Sequence, residues 1–455
     1  MRSAKQALPM ISALVFSGAA VVAGFPVGGS CQPSGPGTVI SHVRIPAFDP
    51  GLNWFAHSVA AVGDIDGDGI IDLAVGERRA DDGGIATGAV WIVFLNANGT
   101  AKATQKISNT EGGFQGGLLE WEEFGSAVAP IGDFDSDGIP DLAAGAWAAS
   151  RGGFETGAIW LLFLNADGTV KSEQEISRTA GGFVPPSSGH FWFGASIAPL
   201  GDFNGDGTLD LAVGCCWSHG ALWILTLNPS GTVKSQHLID ESSGGFNGVL
   251  TPNAQFGRSI SALGDLDGDG VTDLAVGAIY DSDGGPERGS VWILFLNSDA
   301  TVKSNQKISS THGGFMGSLS NYENFGSGIA PLGDLNGDMI VDIAVGAMMD
   351  PDGGVARGAV WILFLNSDGT VKIHRKIGAL AGGLNDPLGD YWEFGSSVAA
   401  IPDLNGDGVV DLVVGADRDS ISGAVWLLLL RDNNTTPTRK MTWGGLKALQ
   451  KNGLE

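Results

Sequence analysis

Asp64-Ile65-Asp66-Gly67-Asp68-Gly69-Ile70-Ile71-Asp72 runs straight into Leu73-Ala74-Val75-Gly76, and most of the chain can be read outward from it. Asp at positions 1, 3, 5 and 9 brings four side-chain oxygens around one point, and the glycines let the backbone turn tightly enough to close the loop. Position 7, Ile70, can add a main-chain carbonyl. Hard oxygen ligands in this number and charge suit Ca²⁺ better than Mg²⁺, which prefers a smaller, stricter octahedron and more water.

The loop occurs six times, beginning at Asp64, Asp133, Asp202, Asp265, Asp334 and Asp403, at intervals of 69, 69, 63, 69 and 69 residues. Self-similarity at a fixed period marks a repeat architecture, whatever the chain length alone suggests. The candidate ligands of repeat one are Asp64, Asp66, Asp68 and Asp72 with the carbonyl of Ile70. Repeat two offers Asp133, Asp135, Asp137 and Asp141 with Ile139, and repeat three Asp202, Asn204, Asp206 and Asp210 with Thr208. Repeat four has Asp265, Asp267, Asp269 and Asp273 with Val271; repeat five has Asp334, Asn336, Asp338 and Asp342 with Ile340. Repeat six has Asp403, Asn405, Asp407 and Asp411 with Val409. Up to six structural Ca²⁺ ions are expected. The repeat-five site is the least certain, because Met339 stands where the other five loops have glycine. An EF-hand needs a bidentate glutamate at position 12 between two helices. Here that position is Val75, Ala144, Val213, Val276, Val345 and Val414, inside apolar runs that read as strand. EF-hands are excluded.

Composition agrees. Of 455 residues 72 are glycine and only 16 % are charged, which fits short strands joined by tight turns. The formal charge is −25, and 21 of the 50 acids lie in the six loops. Six Ca²⁺ would bring the charge to about −13. The acidity is thus largely a metal signature, and it argues against nucleic acid, which requires a basic surface.

Repeat four shows the unit. Phe256 to Gly264 reads as a first strand, Asp273 to Gly277 as a second and Ser290 to Leu296 as a third. A turn at Asn297-Ser298-Asp299-Ala300 leads to a fourth, Val302 to Ile308. Four antiparallel strands with a longer return make one propeller blade. Repeat six stops after its third strand, Ala424 to Leu430. The missing strand is at the other end of the chain, where Gly37-Thr38-Val39 with Ile45 matches Gly99-Thr100 with Ile107. The expected fold is all-β: a six-bladed β-propeller of four-stranded antiparallel blades, the last closed by the N-terminal strand.

Three motifs recur in register: the Phe-Gly-x-Ser of the first strands, as in Phe256-Gly257-Arg258-Ser259, the Asp-rich loop, and the Leu-Ala-Val-Gly-Ala that follows. Together they resemble the FG-GAP repeats of the integrin α-subunit β-propeller, over roughly residues 37 to 430. The resemblance implies calcium in the loop between strands one and two of each blade, and a secreted or surface adhesion protein. Two features depart from it: the integrin propeller has seven blades against six here, and no integrin leg, membrane or cytoplasmic segment is seen.

Residues 1-30 read as a signal peptide with the mature N-terminal linker. Arg2 and Lys5 precede an apolar run from Leu8 to Phe25, and cleavage is expected after Ala23 or a little later. Residues 37-430 are the propeller, and 431-455 a polar linker with a short basic tail, Arg439 to Leu449. Neither end supplies a transmembrane segment to the mature chain. Of the three cysteines, Cys31 lacks the context of a lipoprotein signal, and Cys215-Cys216 read as small buried residues or, alternatively, a vicinal disulfide.

Trp91, Trp160, Trp223, Trp292, Trp361 and Trp426 share one place in strand three and are expected in the core. Trp54, Trp121, Trp192, Trp392, Tyr322 and Tyr391 precede the repeated Phe-Gly, and Trp147 and Trp217 follow strand two. Both loop classes map to the face opposite the metal loops, here called upper, and form the candidate surface for a protein or glycan ligand. The acids there, Glu120, Glu122, Glu123, Glu323, Asp390 and Glu393, read as solvated loop residues. Two of them could in principle form a glycosidase pair, although solvated loop acids are far commoner, and the seven histidines show no repeated metal or triad spacing. The functional reading is a calcium-binding, monomeric adhesion propeller. The alternatives are a polysaccharide-degrading enzyme on the same scaffold and a structural envelope or matrix protein.

Overall fold

A computed structural model describes residues 35–49, 51–185 and 191–431. The signal-like segment, Cys31, Trp443 and the basic tail lie outside the described residues. Strand β1 (Thr38–Pro46) leads into blade one: β2 (Phe55–Gly63), β3 (Asp72–Glu77), β4 (Ala89–Leu95) and β5 (Ala101–Ile107). Blade two is β6 (Phe124–Gly132), β7 (Asp141–Ala146), β8 (Ala158–Leu164) and β9 (Val170–Ser177). Blade three is β10 (Phe193–Gly201), β11 (Asp210–Cys215), β12 (Ala221–Leu227) and β13 (Val233–Ile239). Blade four is β14 (Phe256–Gly264), β15 (Asp273–Ala278), β16 (Ser290–Leu296) and β17 (Val302–Ile308). Blade five is β18 (Phe325–Gly333), β19 (Asp342–Ala347), β20 (Ala359–Leu365) and β21 (Val371–Gly378). Blade six has β22 (Ser397–Ile401), β23 (Asp411–Ala416) and β24 (Ala424–Arg431), one residue longer than the sequence suggests.

Each blade is a four-stranded antiparallel sheet in chain order, except the last, whose order is β1-β24-β23-β22. Thr38 pairs with Arg431 and Pro46 with Ala424, so the first strand of the chain closes the ring. The predicted architecture is borne out, including the closure.

Third strands such as Ala-Val-Trp-Ile-Val-Phe-Leu are buried end to end because a blade is covered by a neighbour on both faces. Their sequence is therefore one apolar run, not an alternation. Among the described residues the core divides into six clusters, one between each pair of adjacent blades, including six and one. In blades two to five the strand-three tryptophan meets a phenylalanine edge to face, as with Phe114 and Trp160 at 5.1 Å and 81°. Such pairs add about 0.5–1.5 kcal/mol beyond their burial.

The Phe-Gly motif makes the joints between blades. Gly125 has φ +86°, and a Cβ there would stand 2.3 Å from the Ala89 carbonyl, so the backbones touch where glycine allows it. Blade one departs from the motif with Ala56, which holds φ 66° without being glycine. A serine reaches the next blade: Ser58, Ser196 and Ser259, at the fourth place of the motif, and Ser327, one residue earlier in its own, each donate to the carbonyl of the following blade's Phe-Gly glycine at 2.7–2.8 Å. Cys215 and Cys216 are free thiols and buried, as small core residues would be.

Candidate cation loops and ligand face

The Asp-rich loops all join strand one to strand two and therefore share one face. In loop one Asp64 accepts from the N–H groups of Asp68 (3.0 Å) and Gly69 (2.8 Å), and Asp68 accepts from Ile70 (2.9 Å). These turns hold the carboxylates facing inward. Carboxylate oxygens of Asp64, Asp66 and Asp72 lie within 4.8 Å of one another, as do those of Asp133, Asp135 and Asp141, and of Asp265, Asp267 and Asp269.

The position-9 aspartates are buried in every blade. One oxygen of Asp72 accepts from Ile65 N–H (3.0 Å) and the other from Leu95 N–H at the end of strand three (3.1 Å). The same pair of bonds recurs at Asp141, Asp210, Asp273, Asp342 and Asp411. Burial, with the neighbouring loop acids also contributing, pushes the Asp72, Asp141, Asp210 and Asp273 carboxyls up to about 6, and Asp342 and Asp411 to about 7. A dense carboxylate set that resists ionisation suits a cation, and a hard, all-oxygen donor set suits Ca²⁺.

A cation does lie against five of these loops, and sequence reading missed it. Lys102 Nζ bonds Asp66 (2.7 Å) and Asp68 (2.6 Å), Lys234 bonds Asp206 (2.6 Å) and Lys372 bonds Asp338 (2.9 Å). Lys171 bonds Asp135 (2.5 Å) and Asp137, and Lys303 bonds Asp267 (2.7 Å) and Asp269. The signal was there: each lysine stands two residues after the threonine that ends the strand three–four turn. Met339 takes the left-handed conformation of the glycine it replaces, φ 68°, and is 90 % exposed.

On the upper face the candidate aromatics divide. Trp54, Trp147 and Trp192 are half-buried and, with Trp217, belong to a polar and aromatic cluster near the centre. The Arg78 guanidinium lies 3.9 Å from the Trp54 ring centroid and 5.0 Å from Trp147, and Arg79 lies 4.1 Å from Trp54. Trp147 contacts Trp192 at 5.3 Å, and Trp192 contacts Trp217 at 4.9 Å. His57 bonds Asp417 (2.8 Å) and Arg258 (3.1 Å), and burial, then Arg78, lowers its pKa to about 3. The ring is therefore neutral, with Nδ1–H donating to Asp417 and Nε2 accepting from Arg258.

Trp121, Tyr322 and Tyr391 are different. They occupy one equivalent position in blades two, five and six, each at φ 63–65°, and are 53 %, 56 % and 57 % exposed. Each backbone N–H donates at 2.8 Å to the preceding blade's loop, at Ile85, Pro286 and Val355. Trp392 is half-buried beside Trp426.

The upper-face acids are not all solvated. Glu120 and Asp390 are exposed, but Glu122, Glu123, Glu323 and Glu393 are buried. Glu122 is met by Arg151 (2.9 Å), Glu123 by Arg78, and Glu393 by Arg418 (2.9 Å). Burial, then Asp350 alongside, pushes Glu323 up to about 8, and Lys376 binds Asp350 at 2.5 Å. The turns Asp81-Asp82-Gly83-Gly84, Asp281-Ser282-Asp283-Gly284-Gly285 and Asp350-Pro351-Asp352-Gly353-Gly354 of this face have lysine as their cation: Lys106 on Asp82 (2.5 Å), Lys307 on Asp281 (2.8 Å) and Lys376 on Asp350.

Blades, loops and joints together define a six-bladed propeller of sequence repeats. The FG-GAP repeat family matches residues 256–294 and 394–428, and the FG-GAP-like repeat family residues 133–213. Over these repeats the chain is similar to integrin α-subunits: 32 % identical to integrin alpha-3 of Cricetulus griseus over 196 residues, covering 43 % of this chain and 17 % of that one. It is 34 % identical to integrin alpha-5 of Xenopus laevis over 233 residues (50 % and 20 %), and 38 % to integrin alpha-11 of Homo sapiens over 164 (35 % and 12 %). The chain thus spans a fifth or less of the length of these relatives. No helix among the described residues is long and apolar enough to cross a membrane.

Proposed function

We propose that this chain is a secreted or cell-surface binding module, not an enzyme: a monomeric, calcium-stabilised propeller that holds a protein or glycan ligand on its upper face. The observation that carries the reading is the set of equivalent exposed aromatics, Trp121, Tyr322 and Tyr391, on a propeller similar in sequence to integrin α-subunits. Rigid aromatic rings amid polar loops offer large contact area at low entropic cost. Four of the six acids of that face are buried and Asp390 is held by Arg357 at 2.8 Å, which weakens a glycosidase reading. Calcium would be held by the carboxylates at positions 1, 3, 5 and 9 of the loops, stabilising the folded chain by mass action. Residues 1-30 would direct export and 431-455 would form an appended linker and tail.

The test is binding of the full chain to an array of glycans and matrix proteins in millimolar calcium. The reading predicts selective hits that weaken on Trp121→Ala and Tyr391→Ala and survive Trp54→Phe. A blank array from chain shown to be folded rejects it for the ligands tested.

A further inference from the structure

Strand four of every blade carries one bulge, at the same place. In blade one Leu95 pairs with Ala101 and Phe94 with Ala103, so Lys102 drops out of the ladder. The same break omits Lys171, Lys234, Lys303 and Lys372 in blades two to five. In blade six it omits Ile40: Leu430 pairs with Val39 and Leu429 with Ser41. A bulge re-aims its extra side chain. In five blades that side chain is an ammonium lying on the position-5 carboxylate of the cation loop, and in the sixth it is a partly exposed isoleucine.

Loop six has no replacement for it. Among the described residues no lysine, arginine or histidine is paired with Asp403, Asp407 or Asp411; Asp407 is met by the Asn405 amide at 3.0 Å. Formal charge does not separate the loops, since loop six stands at −3 like loops one, two and four with their lysines counted. What differs is whether a cation touches the carboxylates. Blade six is also the least secured. Its first strand is five residues against nine elsewhere, and its fourth strand, β1, comes from the other end of the chain.

We propose that the bulge lysine is a resident counter-cation that keeps the loops of blades one to five folded when the divalent ion leaves, and that Ile40 leaves blade six without one, so that calcium controls closure of the ring. The inference rests on the reading of the loops as calcium sites. Without an ion, Asp403 and Asp407 act repulsively on Asp411 with no ammonium to offset them. Opening then falls to the unit with the lowest local stability, which is the one joined by β1.

Hydrogen–deuterium exchange of the full chain, in millimolar calcium and in chelator, tests this. The expected result in chelator is loss of protection confined to β1, β22, β23 and β24, with blades two to four still protected. Ile40→Lys should retain protection of blade six in chelator, and Lys303→Met should extend the loss to blade four. Both variants should match the parent in calcium, which controls for folding. Uniform loss across all six blades, or an Ile40→Lys profile identical to the parent, overturns the inference while leaving calcium binding intact. A parent chain indifferent to chelator overturns the calcium reading as well.

Discussion

The hydroxyl of Ser397, in the last blade, donates to the carbonyl of Ala56, in the first, at 3.0 Å. It is the counterpart of the serine bonds between sequential blades, here made across 341 residues of chain. Replacing it by alanine leaves a buried carbonyl without that donor, so Ser397→Ala should cost about 1 kcal/mol. Urea unfolding of the two proteins checks this; equal midpoints would contradict it.

Asp273 tests the difference between a ligand and a structural anchor. Its two oxygens accept from Leu266 N–H (2.9 Å) and Leu296 N–H (3.0 Å), all buried. Asp273→Ala orphans both donors, at about 1–3 kcal/mol each. The loss should therefore persist in chelator. If the variant is destabilised only in calcium, the carboxylate acts solely through the ion.

The propeller and its loops were legible in sequence because both depend on short-range spacing. Asp at 1, 3, 5 and 9 is a local turn instruction, and the apolar third strand follows from burial on both faces. Even the closure could be read, since Gly37-Thr38-Val39 copies the turn that begins other fourth strands. The upper face was less legible. Trp54 and Trp121 stand before neighbouring Phe-Ala and Phe-Gly motifs, yet one lies under Arg78 and Arg79 and the other faces solvent. The two differ in position: the residue three before the phenylalanine is exposed in Leu52, Trp121, Tyr322 and Tyr391, whereas those one or two before it, Trp54 among them, are buried or half-buried, a distinction residue type does not announce. Glu122, Glu123, Glu323 and Glu393 stand at those inner positions, so they read as solvated loop acids and are in fact buried.

Met339 should be a correctable strain. A β-carbon in the left-handed region costs roughly 1–2 kcal/mol, and glycine holds the equivalent Gly69 at φ 88°. Met339→Gly is expected to gain about 1 kcal/mol, less whatever glycine gives back in unfolded-chain entropy. Gly69→Met should lose a similar amount. Thermal melts of both variants provide the check, and a destabilised Met339→Gly would show that the side chain has a role of its own.

His57 should make stability depend on acid. Its folded pKa, about 3, lies below the ordinary 6.5, because burial, then Arg78 and Arg258, disfavours the charged ring by more than Asp417 favours it. Above pH 6.5 both states hold a neutral ring and stability is at its full value. As pH falls from 6.5 toward 3, the unfolded chain takes a proton that the folded chain refuses. Stability then drops by up to about 1.4 kcal/mol per pH unit. Relative to His57→Gln, the parent should lose stability across this window. Parallel stability curves for the two proteins would contradict a neutral His57.

Direct titration of the metal-free full chain with calcium, by calorimetry, bears most immediately on the six-loop reading. The account predicts saturable binding of up to six ions at submillimolar to millimolar affinity, with the melting temperature rising as calcium is added. No heat of binding at millimolar calcium, together with a melting temperature unmoved by chelator, would contradict it.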